Sequence, residues 1–276
     1  MPATAFSRMT TRALPFLRFP RAATAFPAAS PATVRCVGDR LTLLYRLAEN
    51  STHVFGSPLD PFTQEGRLYH VPRFVYFVPH SSDESVRLAI SAGYDHAMLQ
   101  GTLALLNFVQ RLMLSPEIGH GLNLSVFPLV DVLGLFAGRH LRVLASAHWG
   151  RSDAPEIGLL EKEARCRGYH GFVRVTTTVE ESITASYQGR SSRSMPPTGG
   201  GLVSLKDFEP WPVRFEAARA TGGPLTVADD LPLAPFEPRL GLPQSWPQEL
   251  IDSAVASILD RFIVRYRGIE AYGQHL

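Results

Sequence analysis

The first 38 residues contain no aspartate or glutamate. Arg8, Arg12, Arg18, Arg21 and Arg35 alternate there with alanine, proline, phenylalanine, serine and threonine. A secretory signal is not expected, because no continuous apolar core is present. Pro2, Pro15, Pro20, Pro27 and Pro31 interrupt any amphipathic targeting helix. Residues 1–38 therefore read as a disordered or targeting-like extension, or as a start called too early, and the fold is expected in 39–276. Cysteine is scarce as well. Cys36 and Cys166 are too few for a disulfide framework and read as reduced, buried thiols. No apolar run reaches the length of a membrane span, and a net charge of +2 gives no electrostatic footprint for nucleic acid or an acidic membrane. The expected setting is cytoplasmic, with an organelle as the alternative.

What is present is an apolar fraction of 45%, enough for a sizeable core, arranged in a legible order. "RLYHVPRFVYFV" (67–78) and "VRLAISA" (86–92) read as strands. "MLQGTLALLNFVQRLML" (98–114) puts Leu99, Thr102, Leu103, Leu106, Val109, Gln110 and Met113 at helical spacing. "LNLSVFPLV" (122–130) is the next strand. The alternation repeats with a strand at 140–147, a helix at 154–168 and the strand "GFVRVTTT" (171–178). That second helix has Asp153 as a cap, Pro155 in the first turn, Glu156 near the positive end of the dipole and Gly168 to close it. Residues 189–246 read as irregular loops with short strands. A closing helix over 247–266 carries Leu250, Ile251, Ala254, Val255, Ile258, Leu259 and Phe262 on one face. The pattern predicts a single α/β domain whose central sheet is mainly parallel or mixed and flanked by helices. The ligand crevice is expected beyond the carboxyl ends of the strands, after Ala92, Val130 and Thr178.

The first of these loops holds "SAGYDHAMLQG" (91–101), with the glycines of a metal site but a tyrosine, an aspartate and a methionine among them. This phrase, with "LSVFPLVDVLGLF", "HWGRSDAPEIGLLEKEARCRGYHGFVRV" and "RYRGIEAYGQHL", resembles the zinc carboxypeptidase superfamily, in particular its succinylglutamate desuccinylase/aspartoacylase branch. The resemblance implies a zinc-dependent amide hydrolase fold with two zinc ligands, His and Glu, in the first phrase. It also implies an Asn-Arg clamp for a substrate carboxylate, a third zinc ligand (His) at a strand end and a later Glu as general base. Residue by residue, Asp95 stands at the His position and Met98 at the Glu position. The clamp falls on Ala145 and Ser146, the third ligand on Thr176 (or Thr177), and the base near Gly241. Arg139 alone is retained as an arginine for a carbonyl or carboxylate oxygen.

A catalytic zinc needs three protein ligands and an open position. A thioether and a threonine hydroxyl are poor donors in an oxygen/nitrogen site, and without the ion a water keeps its bulk pKa. The expectation is a catalytically degenerate homologue with no catalytic residue, no metal and no cofactor, whose crevice binds a small carboxylate or peptide end through Arg139, His96 or Glu180, or which docks a partner or a further copy of itself. The alternatives are an active zinc-dependent amide hydrolase with a site rebuilt from Asp95 and His96, or a structural protein without ligand. Adjacent residues at a strand end point apart, so Asp95 and His96 are expected to diverge. Glu180 and Glu181 read first as a solvated strand end, and "PPTGGG" (196–201) as a mobile loop.

Overall fold

The computed structural model describes residues 31–77, 85–138, 152–189, 208–215, 233–234 and 236–273. The elements are α1 (Pro31–Ala48), β1 (Val54–Gly56), β2 (Phe62–Gln64), β3 (Arg67–Tyr69), β4 (Phe74–Tyr76), β5 (Arg87–Ser91), α2 (Gln100–Leu114) and β6 (Asn123–Phe127). They continue with α3 (Val132–Ala137), α4 (Pro155–Arg167), β7 (Gly171–Thr178), β8 (Ile183–Gly189), β9 (Val213–Phe215), β10 (Phe236–Pro243) and α5 (Gln248–Gly273). Eight strands form one mixed sheet in the order β1-β4-β6-β5-β7-β10-β8-β9, and helices flank it in a single α/β domain. The middle of the sheet, β6-β5-β7-β10, is parallel. β4 and β8 join it antiparallel on either side.

α2 forms because its apolar positions recur at helical spacing: Thr102, Leu105, Leu106, Phe108, Val109 and Leu112 are buried. Gln110 is exposed, so that position does not belong to the buried face. α2 is tied to α1 by Arg40 donating to Asn107, and to α5 by Asn107 donating to Asp252 and an Arg111–Asp260 ion pair. In α5, Ile251, Ala254, Val255, Ile258, Leu259 and Phe262 are buried, whereas Leu250 faces outward. Among the described residues no helix is long and apolar enough to cross a membrane.

Several elements differ from the sequence reading. α1 begins before residue 38, and Val34, Val37, Leu41, Leu44 and Tyr45 lie in the core, so the packed part of the chain starts inside the segment read as an extension. The single strand read at 67–78 is two, because Pro72 lacks an N–H for the ladder and the Arg73 N–H goes instead to the Tyr45 hydroxyl. α4 starts at Pro155 with Ala154 as its cap residue, and Asp153 makes no cap. The Ala154 N–H goes to the Ser152 hydroxyl. Gly168 does close α4, at φ 59°. Glu156 is fully buried, and its Oε1 accepts the Leu133 N–H at 3.0 Å, joining α4 to the start of α3. Cys36 and Cys166 are exposed rather than buried. β10 is an eight-residue strand hydrogen-bonded on both sides, so 236–243 is sheet and not loop. The strand read at 140–147 and the loop at 196–201 lie outside the described residues.

Gly93 ends β5's exit in the left-handed region at φ +69°. A Cβ there would lie 2.5 Å from Thr102 Oγ1 and 2.9 Å from Leu129 Cα. Gly66 has a similar φ of +72° with nothing within 4 Å. Gly66→Ala is therefore expected to lose about 1 kcal/mol, the backbone cost alone. Gly93→Ala is expected to lose about 3 kcal/mol, because overpacking adds to that cost. Urea denaturation of both variants checks the difference.

Candidate functional site

The crevice is built by two chain exits bonded to each other. Ala92 N–H donates to Phe127 O, Val130 N–H to Ala92 O, and Asp131 N–H to Gly93 O at 2.7 Å. The turn that follows is set by Asp95: its Oδ1 accepts the Ala97 N–H at 2.9 Å, and its carbonyl accepts the Met98 N–H. Asp131 faces this turn. Its Oδ2 accepts the His96 N–H at 3.1 Å and meets His96 Nδ1 at 2.7 Å, while its Oδ1 accepts the Gly134 N–H at 2.9 Å and caps α3. Both His96 and Asp131 are buried. The Asp131 hydrogen bond raises the His96 pKa above its ordinary value; burial opposes this, and the charges of Asp131 and Asp95 add to it.

Asp95 and Met98, from this turn, and Thr176, from the end of β7, line one cavity of about 130 Å³ with Tyr94, Val175 and Thr177. His96 is not part of its wall. Thr176 Oγ1 donates to Leu240 O at 3.2 Å. Gly241 sits on β10 beside Thr176, in register with it, and is not a wall residue either. A Cβ on Gly241 would come within 2.2 Å of Thr184 Oγ1 and 3.2 Å of Thr178 Cβ. Glu180 is exposed and pairs with Arg214 at 3.2 Å, and Glu181 is exposed beside it. Arg139, Ala145 and Ser146 lie outside the described residues, as do His80 and His148. Among the described residues no three His, Cys, Asp or Glu side chains are grouped to hold a metal ion. The described residues of the wall offer one carboxylate, a thioether and hydroxyls, a set that does not by itself fit zinc.

Behind the cavity lies a buried polar layer that the sequence reading missed. Val175 approaches Gly101 of α2 and Gly171 approaches Tyr266 of α5, so the alternate residues Phe172, Arg174 and Thr176 occupy the opposite face of β7. Arg174 is fully buried, with its guanidinium 4.8 Å from the centre of the Tyr94 ring and 3.6 Å from Glu237. The Ser91 hydroxyl donates to Val173 O, so the Tyr94 hydroxyl donates to Ser91, at 2.6 Å. Burial pushes the Tyr94 phenol up, and Arg174 partly offsets this. Burial and the nearby Arg174 charge lower the Arg239 pKa. An arginine between the valines of "GFVRVTTT" is the signal that could have pointed here, and for Asp131 a carboxylate directly before an apolar run.

With this geometry in view, comparison with solved structures is informative. The chain is similar to a metallo-carboxypeptidase from Burkholderia cenocepacia, at TM-score 0.62 and 12% identity over 84% of this chain and 69% of that one. It is also similar to a Pseudomonas aeruginosa metallo-carboxypeptidase, solved with (2-guanidinoethylmercapto)succinic acid, at TM-score 0.52 and 16% identity over 82% and 68%. Bovine thrombin-activatable fibrinolysis inhibitor, solved with tick carboxypeptidase inhibitor, superposes at TM-score 0.58 and 10% identity over 87% and 97%. The fold is that of the metallo-carboxypeptidases. No family model and no curated protein matches the sequence.

The raised His96 pKa gives a pH signature. Protonated His96 bound to Asp131 contributes stability that is complete below the ordinary histidine value of 6.5 and is lost as pH rises through the higher folded-state value. The melting temperature of the wild type is expected to fall more steeply than that of His96→Gln as pH rises above 6.5. Calorimetric scans of both proteins across that range check it.

Proposed function

We propose that the chain is a catalytically degenerate homologue of the desuccinylase/aspartoacylase-like zinc hydrolases, with its hydrolytic centre lost and its crevice kept as a binding site. One observation carries the reading. The residues that the resemblance assigns to the zinc-ligand positions, Asp95, Met98 and Thr176, line a single cavity and offer a carboxylate, a thioether and a hydroxyl. Without an ion, attack on an amide needs a water whose pKa stays at about 15.7, against about 7 when zinc-bound. The rival reading, a rebuilt metal site on Asp95 and His96, is opposed by the direction of His96, whose Nδ1 is engaged with buried Asp131 away from the cavity wall.

Full-length protein purified without chelator is expected to carry no stoichiometric zinc and to leave N-acyl amino acids and dipeptides intact. Zinc that leaves together with hydrolytic activity on chelation overturns the reading. A gain-of-function test is sharper. The triple variant Asp95→His, Met98→Glu, Thr176→His is expected to bind zinc stoichiometrically by isothermal titration, whereas each single variant is not, because three ligands are required. A folded triple variant without affinity for zinc shows that these positions do not converge as ligands.

A further inference from the structure

The cavity's chemistry selects a class of ligand. Among the described residues Asp95 supplies the only charged side chain on its wall, and Met98 and Val175 supply the apolar part. The Asp95 Oδ1 is engaged by the Ala97 N–H, while its Oδ2 makes no hydrogen bond among the described residues. Thr176 adds a hydroxyl oxygen that spends its proton on Leu240 O and so presents lone pairs. The wall is therefore dominated by acceptors. The cations nearby face carboxylates away from the wall: His96 meets Asp131, and Arg174 and Arg239 share Glu237. At the strand end beyond Thr177, Glu180 and Glu181 add negative charge at the surface, with Arg214 against Glu180. An anion beside Asp95 meets repulsion without a wall cation among the described residues. A divalent ion finds one carboxylate where oxygen sites gather several. A primary ammonium carries three donors and no acceptor, which match the Asp95 carboxylate and the Thr176 hydroxyl.

Resting on the degenerate-site reading, we propose that this cavity binds a primary alkylammonium group, with Asp95 as its counter-ion, Thr176 as a further acceptor and Met98 against the carbon adjoining the nitrogen. The ammonium of a free alkylamine and that of a peptide N-terminus share this chemistry.

Titration of full-length, zinc-free protein, followed by ¹H–¹⁵N chemical shifts, tests it with butylammonium, butanol, butyrate, trialanine and N-acetyl-trialanine. Butylammonium is expected to give saturable shifts at the 93–101 turn and at 175–177, while butanol and butyrate give none. Saturation by trialanine, but not by its acetylated form, assigns the site to peptide N-termini; saturation by butylammonium alone assigns it to free amines. Asp95→Asn keeps an oxygen for the Ala97 N–H and is expected to weaken butylammonium binding at least tenfold in a protein that still gives a folded ¹H–¹⁵N spectrum. Thr176→Val, which keeps the branched shape, is expected to weaken it several-fold. Saturable butyrate binding in place of butylammonium overturns the ligand class and leaves the degenerate reading standing, as does butylammonium affinity indifferent to Asp95→Asn or no saturation by any compound. Stoichiometric zinc in the purified protein overturns the degenerate reading itself.

Discussion

The carboxylate of Asp131 holds the crevice in shape. It takes donors from three places at once: the backbone of the turn after β5, the imidazole of that turn, and the first turn of α3. Each of these groups is inside the protein, and a buried donor left without an acceptor costs about 1–3 kcal/mol. A single side chain thus fastens the loop after one parallel strand to the loop after its neighbour. The backbone pairs between residues 92–93 and 127–131 close the same seam. Once His96 is drawn inward by Asp131, the residue before it has to face the other way. That is why Asp95 lines the cavity.

Beneath the cavity, the sheet carries a layer that an apolar core does not need. Arg174 is buried with the Tyr94 ring on one side and Glu237 on another. Desolvating an ion pair is costly, and its attraction repays this only with good geometry and additional hydrogen bonds. Here Glu237 also accepts the Leu233 N–H, and Tyr94 is fixed through Ser91 to the backbone of β7. This layer therefore sets the tilt of Tyr94, and so the floor of the cavity, from strands distant in sequence. The polar face of β7 and the turn that faces it form one connected unit.

How much of this could be read from the residues depends on where the information lies. β7 matched its reading of 171–178, because a short run rich in β-branched residues is a local signal. α2 and α5 announced themselves by spacing for the same reason. β10 did not: "FEPRLGLP" contains two prolines and a glycine, and its place in the sheet comes from partners on both sides, not from its own propensity. α1 was hidden by composition. The basic, proline-rich stretch before it obscured the helical spacing of Val34, Val37, Leu41 and Leu44. In the crevice, the divergence of Asp95 and His96 was legible from strand geometry. The ion pairs His96–Asp131 and Arg174–Glu237 were not, since each joins segments that meet only after folding.

Gly241 couples three strands. With Thr184 and Thr178 closing over it from β8 and β7, β10 admits a side chain at this position only if its neighbours become smaller or turn away. A substitution at Gly241 and one at Thr184 are therefore not independent: made alone, the first overpacks the sheet, whereas made together they exchange one filled volume for another.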